Sequence, residues 1–408
     1  MAAHLTHLTL NRFTSHQIES MVTRVAGGKA LPSEVMQQVI ARSDGVPLFI
    51  EEVTKAVLES GVMREVNGHY EFVESLSPLA IPATLHDSLM ARLDRLASAK
   101  GVAQLAATIG RQFSYEVLQA LSQLDAATLQ RELGELVEAE ILYQRGLPPQ
   151  AMYTFKHALI QDTAYQALLK STRQQYHQRI AEVLIAQFPE TVEMQPELLA
   201  HHYPEAGLLV DAVRYWQRAG QRAVGRFAHA EAVGHFTQGL AVLANLPETS
   251  ARDQQELQLQ VALGAPLIAT KGYGAPEVEA TYTRARALCH HLGDTPELFR
   301  AMRGLSAFYF QRAKFAETMD IGRQLLERVR QTHNDARLIE VHGSLGASLF
   351  VQGEFEQAWG HLEQGIMHYN PAQHHSPRVL QDARGSMPEL WRLDSVVPRI
   401  PRSGFVSE

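Results

Sequence analysis

The sequence predicts a mostly α-helical protein with minor β hairpins. Three observations lead to this class. Long segments carry apolar residues at helical spacing, with polar residues between them. Strand signals are few, and the clearest is a pair of alternating runs that flank Asn67-Gly68. Similar helical stretches also recur along the second half of the chain, as they do in a repeat protein.

The composition indicates a soluble chain of several domains. Its 408 residues are 45% hydrophobic and 20% charged, with a formal net charge of −7. The single cysteine, Cys289, excludes a disulfide framework and a cysteine-based zinc or iron–sulfur site. No apolar run is long enough for a membrane span, and the first residues lack the pattern of a signal peptide. We therefore expect a cytoplasmic protein with no membrane partner.

Residues 1–75 are predicted to form two or three helices followed by a hairpin. Thr14 and Ser33 suit N-cap positions, because their hydroxyls can accept hydrogen bonds from the first turn of a helix. The Asn-Gly dipeptide tolerates the positive φ angles of a tight turn, so the hairpin is predicted over residues 62–73.

Residues 76–190 are predicted to form a winged-helix-like module with trailing helices. A connector rich in proline and serine, residues 75–82, marks where this module begins. Short helices precede a second hairpin over residues 141–155, which is the order of a winged helix. In a DNA-binding version the third helix lies beside phosphates. Here residues 125–140 carry a net charge of −4, which phosphate would repel. The module is therefore predicted to be a spacer or a protein contact, and no nucleic-acid partner is expected.

Residues 191–372 are predicted to form about four tetratricopeptide-like helix pairs stacked as an α-solenoid. In each pair a small residue lets the first helix approach its partner. Gly220, Gly264, Ser306 and Gly346 take this position, at spacings of 44, 42 and 40 residues, whereas the standard repeat has about 34. Because a single helix pair cannot bury its apolar face, four stacked pairs are the simplest interpretation. An ordinary helical domain with chance periodicity is the alternative.

Residues 373–408 differ in character from the repeats. They contain four prolines and no amphipathic stretch long enough for another helix pair. We expect them to be disordered, or to be a foreign tail produced by a frameshift or premature stop. A solenoid that ends without a polar capping helix leaves its last apolar face exposed.

The familiar motifs of catalytic and metal sites do not occur. The sequence has no Gly-x-x-x-x-Gly-Lys-Ser/Thr phosphate loop, no His-Glu-x-x-His zinc motif and no Gly-x-Ser-x-Gly elbow. The histidines form adjacent pairs such as His201-His202, whose side chains diverge on a helix instead of converging on one ion. Cys289 lies on an apolar helix face and is predicted to be core. We therefore predict no catalytic residue and no metal site.

Two sequence strings are more distinctive than the rest of the chain. Residues 44–52, Asp-Gly-Val-Pro-Leu-Phe-Ile-Glu-Glu, place a Gly-x-Pro turn before a helix whose first turn holds paired acids. This is ordinary helix-start chemistry, because proline fixes φ and acids complement the helix dipole. The functional alternative is that exposed N–H groups at the helix start face a nucleotide. Residues 155–165, Phe-Lys-His-Ala-Leu-Ile-Gln-Asp-Thr-Ala-Tyr, cross from the wing into a helix, and their spacing requires no catalytic role.

A family resemblance rests on these strings and on two more. They are Ile-Pro-Ala-Thr-Leu-His-Asp-Ser-Leu-Met-Ala-Arg-Leu-Asp (residues 81–94) and Pro-Glu-Leu-Leu-Ala-His-His (residues 196–202). From about residue 4 to residue 375 the chain resembles the signal-transduction ATPases with numerous domains (STAND ATPases). It is most similar to bacterial proteins that join an adenylate/guanylate cyclase to a predicted ATPase and a tetratricopeptide tail. The resemblance places nucleotide contact on Gly45 and Pro47, the Gly-x-Pro of the family's helical lid.

The resemblance also implies what this sequence lacks. In the family, the cyclase, P-loop, magnesium-binding and sensor segments precede the lid, and none of them occurs here. ATP and magnesium are therefore expected only for an intact family member. For this chain we expect no cofactor and no ATP hydrolysis, with at most weak nucleotide contact through Gly45 and Pro47.

The function that the resemblance implies is regulatory. The chain would be the lid, winged-helix and repeat portion of a STAND-type ATPase, with residues 1–75 as the lid remnant. Its repeats would sense a protein or small ligand and couple it to a nucleotide-dependent switch and to cyclase-type signalling. Two alternatives stay open: a tetratricopeptide interaction scaffold with no nucleotide role, and a winged-helix transcription regulator, which the acidic third helix disfavours.

Overall fold

A computed structural model describes residues 11–59, 63–66, 68–72, 84–293, 295–332 and 334–370. The chain divides into two compact units, one comprising Met1–Val192 and Glu205–Gly207, the other Glu193–Pro204 and Leu208–Glu408. Helices dominate the described part of both units, and the strands there are short. The predicted fold class, mostly α with minor β hairpins, is therefore confirmed.

The first unit combines helices with five short strands in its described residues. In chain order its elements are α1 (Ser15–Val25), α2 (Ser33–Ser43), α3 (Pro47–Glu59), β1 (Met63–Val66), β2 (His69–Phe72), α4 (Leu85–Arg95), α5 (Ala99–Ile109), β3 (Gln112–Ser114), α6 (Tyr115–Leu121), α7 (Ala126–Glu138), β4 (Leu142–Arg145), β5 (Met152–Phe155), α8 (Ala158–Gln166) and α9 (Lys170–Gln187). α10 (Pro189–Met194) follows at the division between the units.

The first three helices enclose a small apolar core with a hairpin beside it. Val22 of α1, Val39 of α2 and Ile50 of α3 are fully buried in this core. Strands β1 and β2 pair antiparallel, with Val66 opposite His69. The hairpin predicted over residues 62–73 is therefore confirmed.

The helix starts in this region only partly match the predicted caps. The Thr14 hydroxyl accepts a hydrogen bond from the Gln17 N–H, and the Gln17 side chain accepts one from the Thr14 N–H. This reciprocal capping box confirms Thr14 as an N-cap. The prediction for Ser33 is wrong by one residue, because Pro32 occupies the N-cap position and Ser33 begins α2.

A three-stranded sheet lies among the later elements of the first unit. Its strands are all antiparallel and lie side by side in the order β3, β5, β4. The hairpin of β4 and β5 confirms the prediction over residues 141–155. Strand β3 was not predicted, since three residues give no alternation to recognise. Its central residue Phe113 pairs with Tyr153, and the two rings stack at 5.7 Å.

The second unit is a stack of consecutive helices. They are α11 (Pro196–Glu205), α12 (Leu209–Gly225), α13 (His229–Leu243), α14 (Ser250–Lys271), α15 (Pro276–Leu292), α16 (Pro296–Gln311), α17 (Phe315–Thr332), α18 (Asp335–Val351) and α19 (Phe355–Met367). From α12 onward each helix packs against the next one in the chain. We call α12, α14, α16 and α18 the A helices, and α13, α15, α17 and α19 the B helices. Because α12 also contacts α14, and α14 contacts α16, the A helices form a layer on one side of the stack.

The predicted small residues of the A helices lie at tight helix–helix contacts. A Cβ atom added to Gly220 would come within 2.5 Å of the Phe236 ring on the paired B helix. One added to Gly264 would come within 2.2 Å of the Tyr282 hydroxyl. The other two predicted small residues are also buried: Ser306 and Gly346. The long-period repeat read from the sequence therefore corresponds to four real helix pairs.

The turn after each A helix contains a residue with a positive φ angle. These residues are Phe227 (φ 59), Gly272 (φ 86), Ala313 (φ 55) and Gly353 (φ 84). A left-handed residue is a common way to end a helix, and glycine adopts it at the lowest cost. The recurrence is a second structural sign of the repeats. It leaves Phe227 and Ala313 in a conformation that costs about 1–2 kcal/mol each.

Some sequence predictions concern residues that the structure does not describe. The connector over residues 75–82 and the tail over residues 373–408 both lie outside the described ranges. Cys289 is within them and is 1% exposed, so its predicted place in the core is confirmed. None of the helices given above is long and apolar enough to cross a membrane.

Candidate functional site

The predicted nucleotide-contact residues Gly45 and Pro47 lie at the turn between α2 and α3. Asp44 (φ 48) and Gly45 (φ 72) have left-handed backbone angles, and α3 begins at Pro47. Gly45 is buried, and its carbonyl accepts a 2.8 Å hydrogen bond from the Phe13 N–H. A Cβ atom on Gly45 would lie 2.5 Å from the Phe13 carbonyl oxygen. The fold of this chain thus requires glycine at position 45 for its own packing.

The paired acids of the same string do not lie in the first turn of α3, so that prediction is wrong. Because α3 begins at Pro47, Glu51 and Glu52 lie in its second turn, where they find side-chain partners. Glu52 is 1% exposed and accepts two hydrogen bonds from Arg92 Nη1, at 2.8 and 2.7 Å. Arg92 Nη2 donates to the Ala139 carbonyl. This buried ion pair joins α3 to α4 and to the end of α7.

Glu51 belongs to a second group of charges, which we call the charged cluster: Glu51, Lys55, Glu140 and Lys156. Lys156 Nζ donates to Glu51 Oε1 and to Glu140 Oε2, both at 2.8 Å. Lys55 Nζ donates to Glu51 Oε1 at 2.7 Å and also to Glu140 Oε2. Glu140 lies between α7 and β4 and itself has a left-handed backbone conformation (φ 52). The two lysines and two acids alternate, so each charge has two opposite neighbours.

The pKa values of Glu51, Glu140 and Lys156 in the charged cluster are shifted towards the charged forms. Hydrogen bonds from Lys156 and Lys55 lower the pKa of Glu140 to about 2. Burial would raise the pKa of Glu51, but hydrogen bonds from the same two lysines lower it overall. Burial would lower the pKa of Lys156, but hydrogen bonds to Glu140 and Glu51 raise it overall. These groups therefore remain charged near neutral pH and act as ion pairs.

These contacts connect three of the strings that carry the family resemblance. Residues 44–52 supply both acids of α3, residues 81–94 supply Arg92 and residues 155–165 supply Lys156. Each of these carboxylates faces an arginine or a lysine, which leaves none of them as a free general base. In the described ranges no group of three or more His, Cys, Asp or Glu side chains could hold a metal ion. The charged side chains of these three strings thus serve to join elements within the first unit.

The second unit offers a different kind of site, on the side formed by the A helices. Polar side chains link neighbouring A helices there: Gln217 Nε2 donates to Gln258 Oε1 at 3.5 Å, and Arg303 pairs with Glu340 at 3.5 Å. Arg300 lies one turn before Arg303 and is exposed. We call this surface the A-face and define it by these five residues.

Small side chains lie between the polar groups of the A-face. Ala265 follows Gln258 by two turns on α14, and Ala307 follows Arg303 by one turn on α16, so each shares the face of its polar neighbour. Ala265 is exposed and Ala307 is half-buried. The A-face therefore combines polar side chains with small ones.

A pair of histidines lies inside the last helix pair of the described chain. The Nδ1 atoms of His342 and His361 are 3.1 Å apart, and His342 is 3% exposed. One ring must donate and the other accept, so at least one ring is neutral. Burial, followed by the charges of His361, Arg330 and His368, lowers the pKa of His342 to about 4. Burial and Arg330 also lower the pKa of His361.

Comparison with known proteins gives a long but partial match. No family model matches the chain. An uncharacterized protein of Rhizobium meliloti (strain 1021) is 31% identical over 247 residues, which make up 60% of this chain and 23% of that protein. The chain therefore spans less than a quarter of the length of the curated relative that it matches.

Two solved structures show a distant likeness. One is a signal transduction ATPase with numerous domains that carries a tetratricopeptide repeat sensor, from Pyrococcus horikoshii. It has a TM-score of 0.36 and 8% identity, over 93% of this chain and 63% of that one. The other is BtubC from P. vanneervenii, with a TM-score of 0.32 and 12% identity, over 78% of this chain and 98% of that one.

Proposed function

We propose that the second unit is an interaction module that binds an extended protein segment on the A-face. The observation that carries this proposal is the layer of A helices, linked by the Gln217–Gln258 and Arg303–Glu340 contacts. Stacked helix pairs present an extended surface built from several helices, which a single helix cannot offer. Arginine and glutamine side chains supply donors for the carbonyl and carboxylate groups of a bound segment.

For the first unit we propose a lid remnant followed by a winged-helix-like module, with boundaries near residues 75 and 190. The order α5–β3–α6–α7–β4–β5 and the sheet order β3–β5–β4 support the winged helix. The contacts of Arg92 and Lys156 with α3 support a lid held against that module. Glu132 of α7 is buried, and the other charges of that helix, Glu135 and Glu138 against Arg131, leave it with a small net negative charge, which favours a protein contact over DNA.

The finer part of the proposal concerns signalling. In an intact relative, binding at the repeats would bias a nucleotide-dependent switch and a cyclase-type output. In this chain Gly45 and Pro47 remain the proposed nucleotide contacts, and weak ones, because the Phe13 backbone already covers Gly45. Calorimetric titration with ATP and magnesium tests this part. We expect no binding in the micromolar range, and a micromolar dissociation constant would contradict the account of the first unit.

A scaffold with no nucleotide role is the second candidate, and the internal pairing of charges favours it. Glu51, Glu52, Arg92 and Lys156 all have partners inside the first unit. If they serve only to hold helices together, the first unit has no nucleotide role and the repeats carry the whole function. Both candidates predict no micromolar ATP binding by this chain, and both predict a segment bound at the A-face.

Peptide display against the whole chain tests the A-face directly. We expect selected peptides to lose about tenfold in affinity for Arg300→Glu, because this substitution reverses a charge on α16 that faces the segment. Arg323→Glu on α17 is the matched control, since it reverses an exposed arginine on a B helix. A selection without binders, or binders that respond equally to both substitutions, would contradict the proposal.

A further inference from the structure

Two exposed arginines on the outer side of the A helices have no acidic partner. Arg300 belongs to the A-face, and Arg218 directly follows its member Gln217 on α12. Arg218 lies two residues after the buried Trp216, and Arg300 lies five residues before the buried Leu305. Successive residues of a helix are about 100° apart, so both arginines leave their helix about 140–160° from its buried side. Neither forms an ion pair with another residue of the described ranges.

The acids on the same side of the A helices already have basic partners. Arg303 Nε lies 3.5 Å from Glu340, and Arg214 Nη1 lies 3.6 Å from Asp211. Glu297, in the first turn of α16, is half-buried and lies on the flank of the helix instead of its outer side. The charge left over on this side of the described second unit is therefore positive.

The two layers of helices also differ in their total charge. The A helices contain eight arginine and lysine residues and six acids, a net charge of +2, whereas the B helices contain five and eight, a net charge of −3. Exposed acids of the B helices such as Glu327 and Glu363 form no ion pair with another described residue. An acidic ligand would therefore be attracted to the A helices and repelled by the B helices.

The two arginines are too far apart to bind the same carboxylate. Because α12 contacts α14, and α14 contacts α16, one A helix separates Arg218 from Arg300. Helices in contact have axes about 8–10 Å apart, so the axes of α12 and α16 are roughly 16–20 Å apart. An extended chain advances about 3.3 Å per residue, so two acids about six residues apart would reach both arginines.

The surface between the arginines, on α14, is uncharged. Gln258, Ala265 and Ala269 are exposed there, and Val261 is half-buried. The Oε1 atom of Gln258 accepts the hydrogen bond from Gln217, which leaves its Nε2 atom as a donor. This stretch offers no cation to a third acid, and its alanines leave room for a backbone to approach.

We propose that the segment bound on the A-face is acidic, with two carboxylates about six residues apart and small uncharged residues between them. This inference rests on the proposed function, because it names the ligand of the same surface. Arg218, whose guanidinium lies 5.1 Å from the centre of the Tyr215 ring, pairs with one carboxylate, and Arg300 pairs with the other. Between them Gln258 donates to a backbone carbonyl, and small side chains lie over Ala265.

Three displayed heptapeptide libraries test the chemistry of the ligand against the whole chain. Their first and seventh residues are fixed as glutamate, glutamine or lysine, and the five residues between them are random. We expect the best binders of the glutamate library to bind at least about tenfold more tightly than those of the other two libraries. Most of this difference should disappear at about 1 M salt, where exposed charges are screened within a few ångströms.

Substitutions in the chain test the two arginines. Arg218→Gln and Arg300→Gln should each weaken the best glutamate-library peptide about tenfold, as measured by fluorescence anisotropy. Arg323→Gln on α17 is the matched control and should leave the affinity within about twofold. In a double-mutant cycle, a peptide with one glutamate changed to glutamine should lose affinity to only one of the two arginine substitutions, because each arginine contacts one end of the segment.

The outcomes separate this inference from the proposed function. If glutamine or lysine peptides bind as tightly as glutamate peptides and Arg300→Glu still weakens them, the A-face binds a segment that is not acidic, and only the inference fails. If no library yields a binder, the inference and the proposed function both fail. An eight-nucleotide thymidine oligonucleotide that binds more tightly than the best glutamate peptide would also overturn the inference, because the ligand would then be a nucleic acid.

Discussion

Glu52 and Arg92 form a buried ion pair that joins α3 to α4, in which Arg92 Nη1 donates to both carboxylate oxygens of Glu52. The same two helices carry an exposed counterpart, Glu59 and Arg95, whose closest atoms are 2.9 Å apart. Burial distinguishes the two pairs: the side chains of the first are 0% and 4% exposed, those of the second 44% and 37%. Because water screens exposed charges and not buried ones, the two pairs should differ greatly in their effect on stability.

Arg92→Met should destabilise the first unit by about 3–5 kcal/mol, because it leaves the Glu52 carboxylate buried without a counter-charge. Urea denaturation, followed by circular dichroism, measures the free energy of unfolding. Arg95→Met is the matched control and should cost less than about 1 kcal/mol. The double variant Glu52→Met/Arg92→Met should recover much of the loss. Equal costs for Arg92→Met and Arg95→Met would refute the role assigned to the buried pair.

Gly45→Ala should destabilise the first unit more than substitution at another glycine with positive φ. Gly27 (φ 70) has nothing within 4 Å of an added Cβ atom, so Gly27→Ala should cost about 1 kcal/mol from backbone strain alone. At Gly45 the Phe13 carbonyl oxygen would lie 2.5 Å from the new atom. We expect the additional overlap to raise the cost by at least about 1 kcal/mol. Equal losses in urea denaturation would mean that Phe13 moves aside freely.

The second unit should lose stability in mild acid because of His342. Its pKa is about 4 in the folded chain, below the ordinary value of 6.5, so the unfolded chain binds a proton that the folded chain rejects. The second unit therefore has its full free energy of unfolding above pH 6.5 and loses part of it as the pH falls towards 4. Thermal unfolding across this range measures the change, which should amount to about 1–3 kcal/mol.

A leucine at position 342 should reduce this pH dependence. His342→Leu keeps the site filled and removes one of the two histidines whose pKa values are lowered, so the unfolding temperature should vary less between pH 7 and pH 5. His290 is exposed on α15 and serves as the control: His290→Leu should leave the pH profile unchanged. A profile that is the same in the His342→Leu variant and the unaltered chain would assign the acid sensitivity to another group.

Phe227→Gly should stabilise the second unit, although it removes an aromatic ring. Phe227 has a φ of 59 and is 74% exposed, so glycine relieves backbone strain and gives up little burial. The expected gain is about 1 kcal/mol, seen as a higher unfolding temperature. Gly353 occupies the same place in the last pair, and Gly353→Phe should show the opposite change. A lower unfolding temperature for Phe227→Gly would show that contacts of the Phe227 ring stabilise the second unit by more than the backbone strain costs.

The parts of the fold that depend on local signals were predictable from the sequence. The Asn-Gly hairpin, the capping role of Thr14 and the small residues Gly220 and Gly264 all follow from neighbouring residues or from repetition. The three-residue strand β3 was not predictable, because only its pairing with β5 stabilises it. The start of α2 one residue earlier than predicted, with Pro32 at the N-cap instead of Ser33, is likewise a matter of fine backbone geometry.

The site was less predictable than the fold, because its contacts link distant residues. Glu52 and Arg92 are 40 positions apart, and Glu51 and Lys156 are 105 apart. The sequence could suggest only that Arg92 is unusual, since it lies among the leucines of an apolar helix face. It could not tell which of two adjacent acids would be buried. Gly45 was singled out as a nucleotide contact, which stays a prediction, and its contact with Phe13 became visible only in three dimensions.

Hydrogen exchange with a peptide selected by display shows whether the repeats bind a partner segment on the A-face. We expect the bound peptide to slow exchange in α14 and α16, at the residues around Gln258 and Arg300, with smaller effects in the B helices. The footprint should disappear in Arg300→Glu and persist in Arg323→Glu. Protection confined to α13, α15 and α17 would rule out binding at the A-face, because the segment would then lie on the opposite side of the stack.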